Sequence, residues 1–463
     1  MTTTSAAPPP TRPGHRADNA GHSARGFRNR ASSAGLVAAA LLLAGCSTSA
    51  GTGDSSASAG TAGSAGTASS SRDAASIATA PATSGTADAA TRAAIEQALA
   101  AAMAKYQLKA VIVRVTKGDQ NVYTAARGES MTGVPATPAM HFRSGAFGFM
   151  YIGQIFAKLV DAKQVSLDDK LSNWFPDYPR ADQITIKNLL NMTSGYADYV
   201  YQPAMLASSD RDPFRQWTDD ELIALGLNGP EQFAPGTNWG YSHTNYVILA
   251  KVLEKLTGKP MVDVMSEYVL EPMKLAQTGS NAGTPAIPEP ALHAFTSERA
   301  EYFKVSAGTP FYEEATYWNP SWTTAKGAVI TTDIADMSTS MQIVGSGSQV
   351  SPEMYAAQTG PNLVGFGTKD PTGTCSSCRP NTAQMSYGLG VWRLGAWLAQ
   401  NASFAGLAST SGYLPAEKLT VSVAMTYLPA AFLNAEAYGT SSWSTFAALA
   451  GAVAPGQAPK KAS

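Results

Sequence analysis

From residue 88 onward the chain alternates between two hydrophobic periods. "DAATRAAIEQALAAAMAKYQL" is Ala-rich with apolar residues at helical spacing, which predicts a first helix. "KAVIVRVTKGDQNVYTAARGE" alternates on both sides of "KGDQ" and predicts two strands joined by a turn. "FGFMYIGQIFAKLVDAK" is apolar almost all round, the pattern of a helix buried in the middle of a domain. In "SLDDKLSNWFP", Ser166 reads as a cap and Pro176 as a stop, and "TIKNLLNMTSGY" as a short helix ending at Gly195. Helical patterns follow in "TDDELIALGL", "NYVILAKVLEKLTGKP", "MVDVMSEYVLEPMK" and "AKGAVITTDIADMSTSMQIV". Strand character returns in "YGLGVWRLG", "SFAGLAST" and "KLTVSVAMTYLP", and "SSWSTFAALAGAV" closes as a helix. This order predicts an α+β fold: an antiparallel sheet flanked by helices, with an all-α subdomain beside it.

The region before residue 88 is of another kind. Residues 46–87 form a Ser/Ala/Gly/Thr tract with almost no bulky apolar side chain, which predicts a flexible tether. In 1–45, Arg25, Arg28 and Arg30 precede the apolar "GLVAAALLL", and "LAGC" ends the run, as in a secretory signal peptide. A Cys directly after Leu-Ala-Gly resembles a bacterial lipobox, which implies a lipidated Cys46 holding the protein at the extracytoplasmic face of the cell membrane. The folded domain is expected over 88–455, with 456–463 as a tail. No apolar run reaches the roughly 18 residues of a membrane span.

Charge narrows the partners. The net charge is −1, but residues 1–45 hold five Arg and one Asp, so the chain from Cys46 onward carries −5. Without a Lys/Arg-rich stripe this excludes nucleic acid as a natural partner. Cys375 and Cys378 in "CSSC" lack a flanking βαβ pattern and further ligands, so they read as a local disulfide that shapes its loop. His141 and His293 have no acidic or histidine neighbours at ligand spacing; neither a metal site nor a cofactor is expected.

Several ordered motifs carry a resemblance. "FRSGAF", "LVDAKQVSLDDKLSNWFPDYP", "ITIKNLLNMTSGYADY", "FAPGTNWGYSHTNYVILAKVLEKLTGKP", "AKGAVITTDIADM", "YGLGV" and "STSGYLPAEKLTVSV" resemble, in this order, segments of the serine β-lactamase and penicillin-binding-protein-like superfamily. The likeness is to its branch of class C β-lactamases, D-alanyl-D-alanine carboxypeptidases and related esterases. It implies a β-lactamase/transpeptidase-like fold and a cleft at the start of the buried helix.

In that family a Ser-x-x-Lys pair opens the helix, and the i, i+3 spacing puts nucleophile and lysine on one face. Aligned through Phe142, Arg143 and Gly145, the two stations hold Ala146 and Phe149. Met192 stands at the family's His position before Thr-Ser-Gly. The Tyr-x-Asn motif reads Tyr241-Ser242-His243, and the Lys-Thr-Gly or His-x-Gly motif is placed at Thr410-Ser411-Gly412, without the cation. A methyl and a phenyl group neither attack a carbonyl nor take a proton. The resemblance therefore implies a pseudoenzyme with respect to acyl-serine chemistry, binding a ligand such as a cell-wall peptide through Tyr241, His243 and Ser411. The alternative is a divergent hydrolase that uses Tyr241 and His243 without an acyl-enzyme. Ser144, two residues early and followed at its own i+3 position by Phe147, reads as a helix-entry hydroxyl and not a displaced nucleophile.

Overall fold

The computed structural model describes residues 83–459, apart from 281–282, 307, 361, 369–374 and 376. The signal-peptide and lipidation expectations, and most of the tether, lie outside the described residues. The last residues of that tract run beside the sheet: Ser84 exchanges backbone hydrogen bonds of 2.9 and 2.8 Å with Thr124.

The first helix, α1 (Ala89–Tyr106), begins where Asp88 accepts from the Thr91 N–H at 2.8 Å. It buries Ile95, Leu99, Ala102 and Tyr106, one stripe at helical spacing. Strands β1 (Leu108–Lys117) and β2 (Gln120–Met131) pair through the predicted turn, and β3 (Val134–Pro135) extends the edge. The C-terminal part supplies β4 (Met385–Tyr387), β5 (Trp392–Leu394), β6 (Trp397–Phe404), β7 (Leu407–Leu414) and β8 (Leu419–Tyr427). The eight form an antiparallel sheet in the order β3-β2-β1-β8-β7-β6-β5-β4.

Both faces of this sheet are covered, which is why β1, β7 and β8 are buried along nearly their whole length and show no alternation of buried and exposed positions. Val111, Val113 and Val115 pack with Val421 and Val423 against α1 and the terminal helix α5 (Ala435–Val453). Ala110, Ile112 and Ala424 belong to the second core, with Met337 and Met341 of α4 (Ile334–Ser346) and with α2 (Phe147–Asp161). Full burial of each Val, Leu or Ile contributes about 1.5–3 kcal/mol. Helix α2 is buried on nearly every side, as its composition predicts. Gly148 in its first turn admits close packing, because a Cβ there would stand 2.5 Å from the Ala328 carbonyl oxygen. The helical insertion between β3 and β4 includes α3 (His243–Thr257) and forms the all-α part. Among the described residues no helix is long and apolar enough to cross a membrane.

Three boundaries differ from the sequence reading. "YGLGVWRLG" is not one strand but the end of β4, a turn and β5. "AKGAVITTDIADM" is not all helix: Ile330–Thr332 is a strand of a small sheet with Phe142–Arg143 and Gly279–Ser280, and α4 begins only after Asp333 caps it. "SFAGLAST" is not one strand but the corner of a hairpin, β6 turning into β7 at Ala405-Gly406.

Where the middle of the chain meets α5, Glu298 accepts from the Tyr438 hydroxyl at 2.7 Å, and burial raises its carboxyl to about 7 from the ordinary 4.5. A folded-state pKa raised in this way stabilises below the unfolded value, and the contribution is lost as pH rises through about 7. Glu298→Gln removes the buried charge at high pH. Its melting temperature relative to the parent is therefore expected to climb by about 3 °C or more between about pH 5 and about pH 8. A difference that stays constant across that range would rule out a Glu298 contribution.

Candidate ligand cleft at the start of the buried helix

A cleft of about 830 Å³, counting its open mouth, lies where α2 begins, between strand β6 and the helical insertion. Gly145 and Ala146 form its inner end. Gly145, at φ +41°, sits so close to β6 that a Cβ would be 3.1 Å from the Ala402 Cβ. Ser144 is fully buried and turned away, its Oγ donating to the Ile330 carbonyl at 3.4 Å, so it offers no hydroxyl to the cleft.

Phe149 lies one turn into α2, fully buried behind the cleft wall. Its ring stacks on Tyr246 with centroids 4.2 Å apart and meets the edge of His243 at 5.4 Å. The lysine station is therefore occupied by a packed aromatic, which leaves the cleft open beside it.

Tyr241 and His243 both line the cleft, as the motif reading predicts. Tyr241 stacks parallel to Trp392 at 6.1 Å and contacts His243 at 5.3 Å. Burial, with Tyr387 and Asp198 nearby, holds its hydroxyl well above the ordinary range, so Tyr241 stays a protonated donor.

Asp198, which the sequence reading missed, completes the histidine. Its carboxylate oxygens stand 2.9 and 3.2 Å from the His243 Nδ1, and its side chain is 1% exposed against 15% for His243. An acceptor on that side favours the tautomer with its proton on Nδ1, which leaves Nε2 as the nitrogen not engaged by Asp198. The pair is held by its flanks: the Ser242 and Thr244 hydroxyls both donate to the Ala197 carbonyl, at 3.3 and 2.7 Å. The Tyr199 N–H donates back to Thr244 Oγ1 at 3.2 Å. Residues 242 and 244 thus clasp 197 and 199, with His243 and Asp198 between them.

The third motif is corrected. Thr410, Ser411 and Gly412 are fully buried on β7, Ser411 Oγ lies 2.6 Å from Ser422 Oγ on β8, and none of the three lines the cleft. The ligand-binding role expected of Ser411 falls with them. The strand facing the cleft is β6, one place nearer the sheet edge, and it presents Asn401, Ala402 and Ser403. Met192 lies beneath, its sulfur 3.0 Å from the Ser242 N–H.

Cys375 and Cys378 are bonded to each other, and their loop forms a wall of the cleft, where Ser377 and Arg379 reach the lining. It packs on Gly240, where an added Cβ would meet Cys375 Sγ and Ser377 Oγ at 3.1 Å each. Trp239, Trp322 and Trp392 supply flat apolar surface. His141 and His293 lie elsewhere, paired with Gln277 and Glu314. Among the described residues no group of three His, Cys, Asp or Glu is arranged to hold a metal ion.

A family model described as Beta-lactamase matches residues 95–438. Penicillin-binding protein 4* of Bacillus subtilis (strain 168) is 34% identical over 111 residues, covering 24% of this chain and 24% of that protein. Esterase EstB of Burkholderia gladioli is 27% identical over 217 residues, covering 44% of this chain and 55% of that protein. The matched stretches thus span between a quarter and just over half of those relatives. D-amino acid amidase from Ochrobactrum anthropi SV3, in complex with L-phenylalanine, superposes with a TM-score of 0.63 at 19% identity over 77% of this chain and 97% of that one. D-stereospecific amidohydrolase from Streptomyces sp. gives 0.60 at 23% identity over 72% and 94%. At these identities the structural likeness speaks for the fold.

Proposed function

The chain belongs to the Beta-lactamase family, and from that premise we propose that it is a non-acylating member whose cleft holds a ligand without forming an acyl bond to it. One observation carries this reading: the helix start that would bear nucleophile and lysine offers a methyl group and a packed phenyl ring, while the cleft beside it stays open. Loss of the nucleophile alone removes a factor of about 10⁶ in serine hydrolases. The remaining walls are suited to binding. Three tryptophans give stacking surface, and Arg379 brings a guanidinium to the lining that suits an acyl or carboxylate group.

The names of the relatives, a penicillin-binding protein and D-amino acid amidases, point to D-aminoacyl ligands, so we take a cell-wall peptide ending in D-alanyl-D-alanine as the ligand class. The site of action follows from the N-terminal signals. Cys46 after Leu-Ala-Gly supports a lipid anchor that places the cleft outside the cytoplasmic membrane.

Trp239, Trp322 and Trp392 report on the cleft directly. Titration of the full chain with diacetyl-L-lysyl-D-alanyl-D-alanine is expected to change the tryptophan fluorescence saturably, and the peptide is recovered intact. Absence of a saturable change at millimolar peptide would contradict this ligand class.

A further inference from the structure

We infer that His243, oriented by Asp198, is a general base that activates water against the carbonyl of a carboxylic ester held in the cleft. This rests on the non-acylating reading above and gives the cleft a reaction of its own. A buried carboxylate is costly unless it is paired and hydrogen-bonded. Asp198 has two partners, the Val200 N–H at 3.1 Å and the His243 Nδ1 at 2.9 Å. Turn formation accounts for the first alone. The second fixes the ring so that Nε2 is the nitrogen left for the cleft that His243 lines, and the clasp by Ser242 and Thr244 keeps both members in register.

The other groups fit the same step. Tyr241 remains a donor, so among the side chains of the inner cleft His243 is the one with a basic nitrogen. Ala146, on the same lining, presents a methyl group and so no protein hydroxyl that could attack in place of water. Trp239, Trp322 and Trp392 offer flat surface to an apolar or aromatic alcohol portion.

The step balances without a co-reactant other than water. His243 Nε2 takes one proton as the water oxygen bonds to the carbonyl carbon, and the C=O pair moves onto oxygen. The tetrahedral species then collapses, the C–OR bond breaks, and the departing alkoxide takes the proton from Nε2. One water is consumed, and an acid and an alcohol are released. Esters are assigned and not amides because an alkoxide or phenolate leaves with less help than an amine nitrogen.

The test uses the full chain with p-nitrophenyl butyrate. His243→Ala is expected to lower kcat by about 100-fold or more, and added imidazole to restore a good part of the loss. Asp198→Asn, a positioning change, is expected to lower kcat by about 10-fold or more with KM within about 3-fold. His293→Ala serves as a control and leaves the rate unchanged. Circular dichroism of each variant separates loss of function from loss of fold. A His243→Ala protein that is folded and keeps its rate overturns the inference, as does a parent chain with no turnover above buffer. An acyl adduct on the parent in quenched samples would instead sink the non-acylating reading beneath it.

Discussion

Ala146→Ser combined with Phe149→Lys yields a protein that does not react with benzylpenicillin and is less stable than the parent by about 3 kcal/mol or more. The stability term comes from Phe149. Its ring is fully buried, stacked on Tyr246 at 4.2 Å and in edge contact with His243 at 5.4 Å. A lysine there loses the stacking and brings an ammonium into aromatic surroundings that disfavour its charged form. Asp198, the carboxylate of the adjacent histidine pair, is already held by His243 and the Val200 N–H. The chemical term comes from the rest of the cleft, where His243 stands at the family's Asn position and β6 presents Asn401, Ala402 and Ser403, none of them a cation. Urea unfolding and intact mass after penicillin treatment measure both. Unchanged stability, or stoichiometric acylation, would show that the site needs only its two lost groups.

Gly406→Ala is expected to cost about 2–4 kcal/mol, an outsized effect for one methyl group in a turn. Gly406 has φ +72°, and a Cβ would stand 2.1 Å from the Phe295 carbonyl oxygen and 2.6 Å from its carbon. These are backbone atoms, so the β6–β7 corner itself must shift. Because β6 carries Asn401, Ala402 and Ser403 along the cleft, ligand-induced tryptophan fluorescence should weaken together with the melting temperature. A variant within about 0.5 kcal/mol of the parent would show that the corner yields without strain.

That same corner explains what the sequence reading misses. The long periodic elements were legible: α1, the β1–β2 hairpin, the buried helix α2 and the terminal helix follow from spacing and composition. The β-lactamase/transpeptidase-like fold follows from the ordered motifs. The Gly406 turn was not, because "SFAGLAST" stays apolar through it, and apolar runs covered on both faces give no alternation to mark where one strand ends. Missing it hides one strand and moves the third motif from β6 to β7. A glycine between two runs of strand-forming residues was the available signal.

The site was legible in part. Ala146, Phe149, Tyr241 and His243 fall where motif alignment puts them, since all four lie in or beside segments that keep the family's spacing. Asp198 was written in "SGYADY", yet it lies 45 residues from His243, and only the packing of α3 against that loop brings the two together. The tryptophan walls are likewise drawn from distant segments, and spacing in a chain does not report such contacts.

The central claim is that no side chain of this cleft forms an acyl bond. The most direct measurement is the intact mass of the purified full chain after separate incubation with a panel of β-lactams and with a fluorophosphonate. The account predicts the unmodified mass in every sample. A stoichiometric adduct, mapped by digestion to a single residue of the cleft, would contradict it and would name the nucleophile.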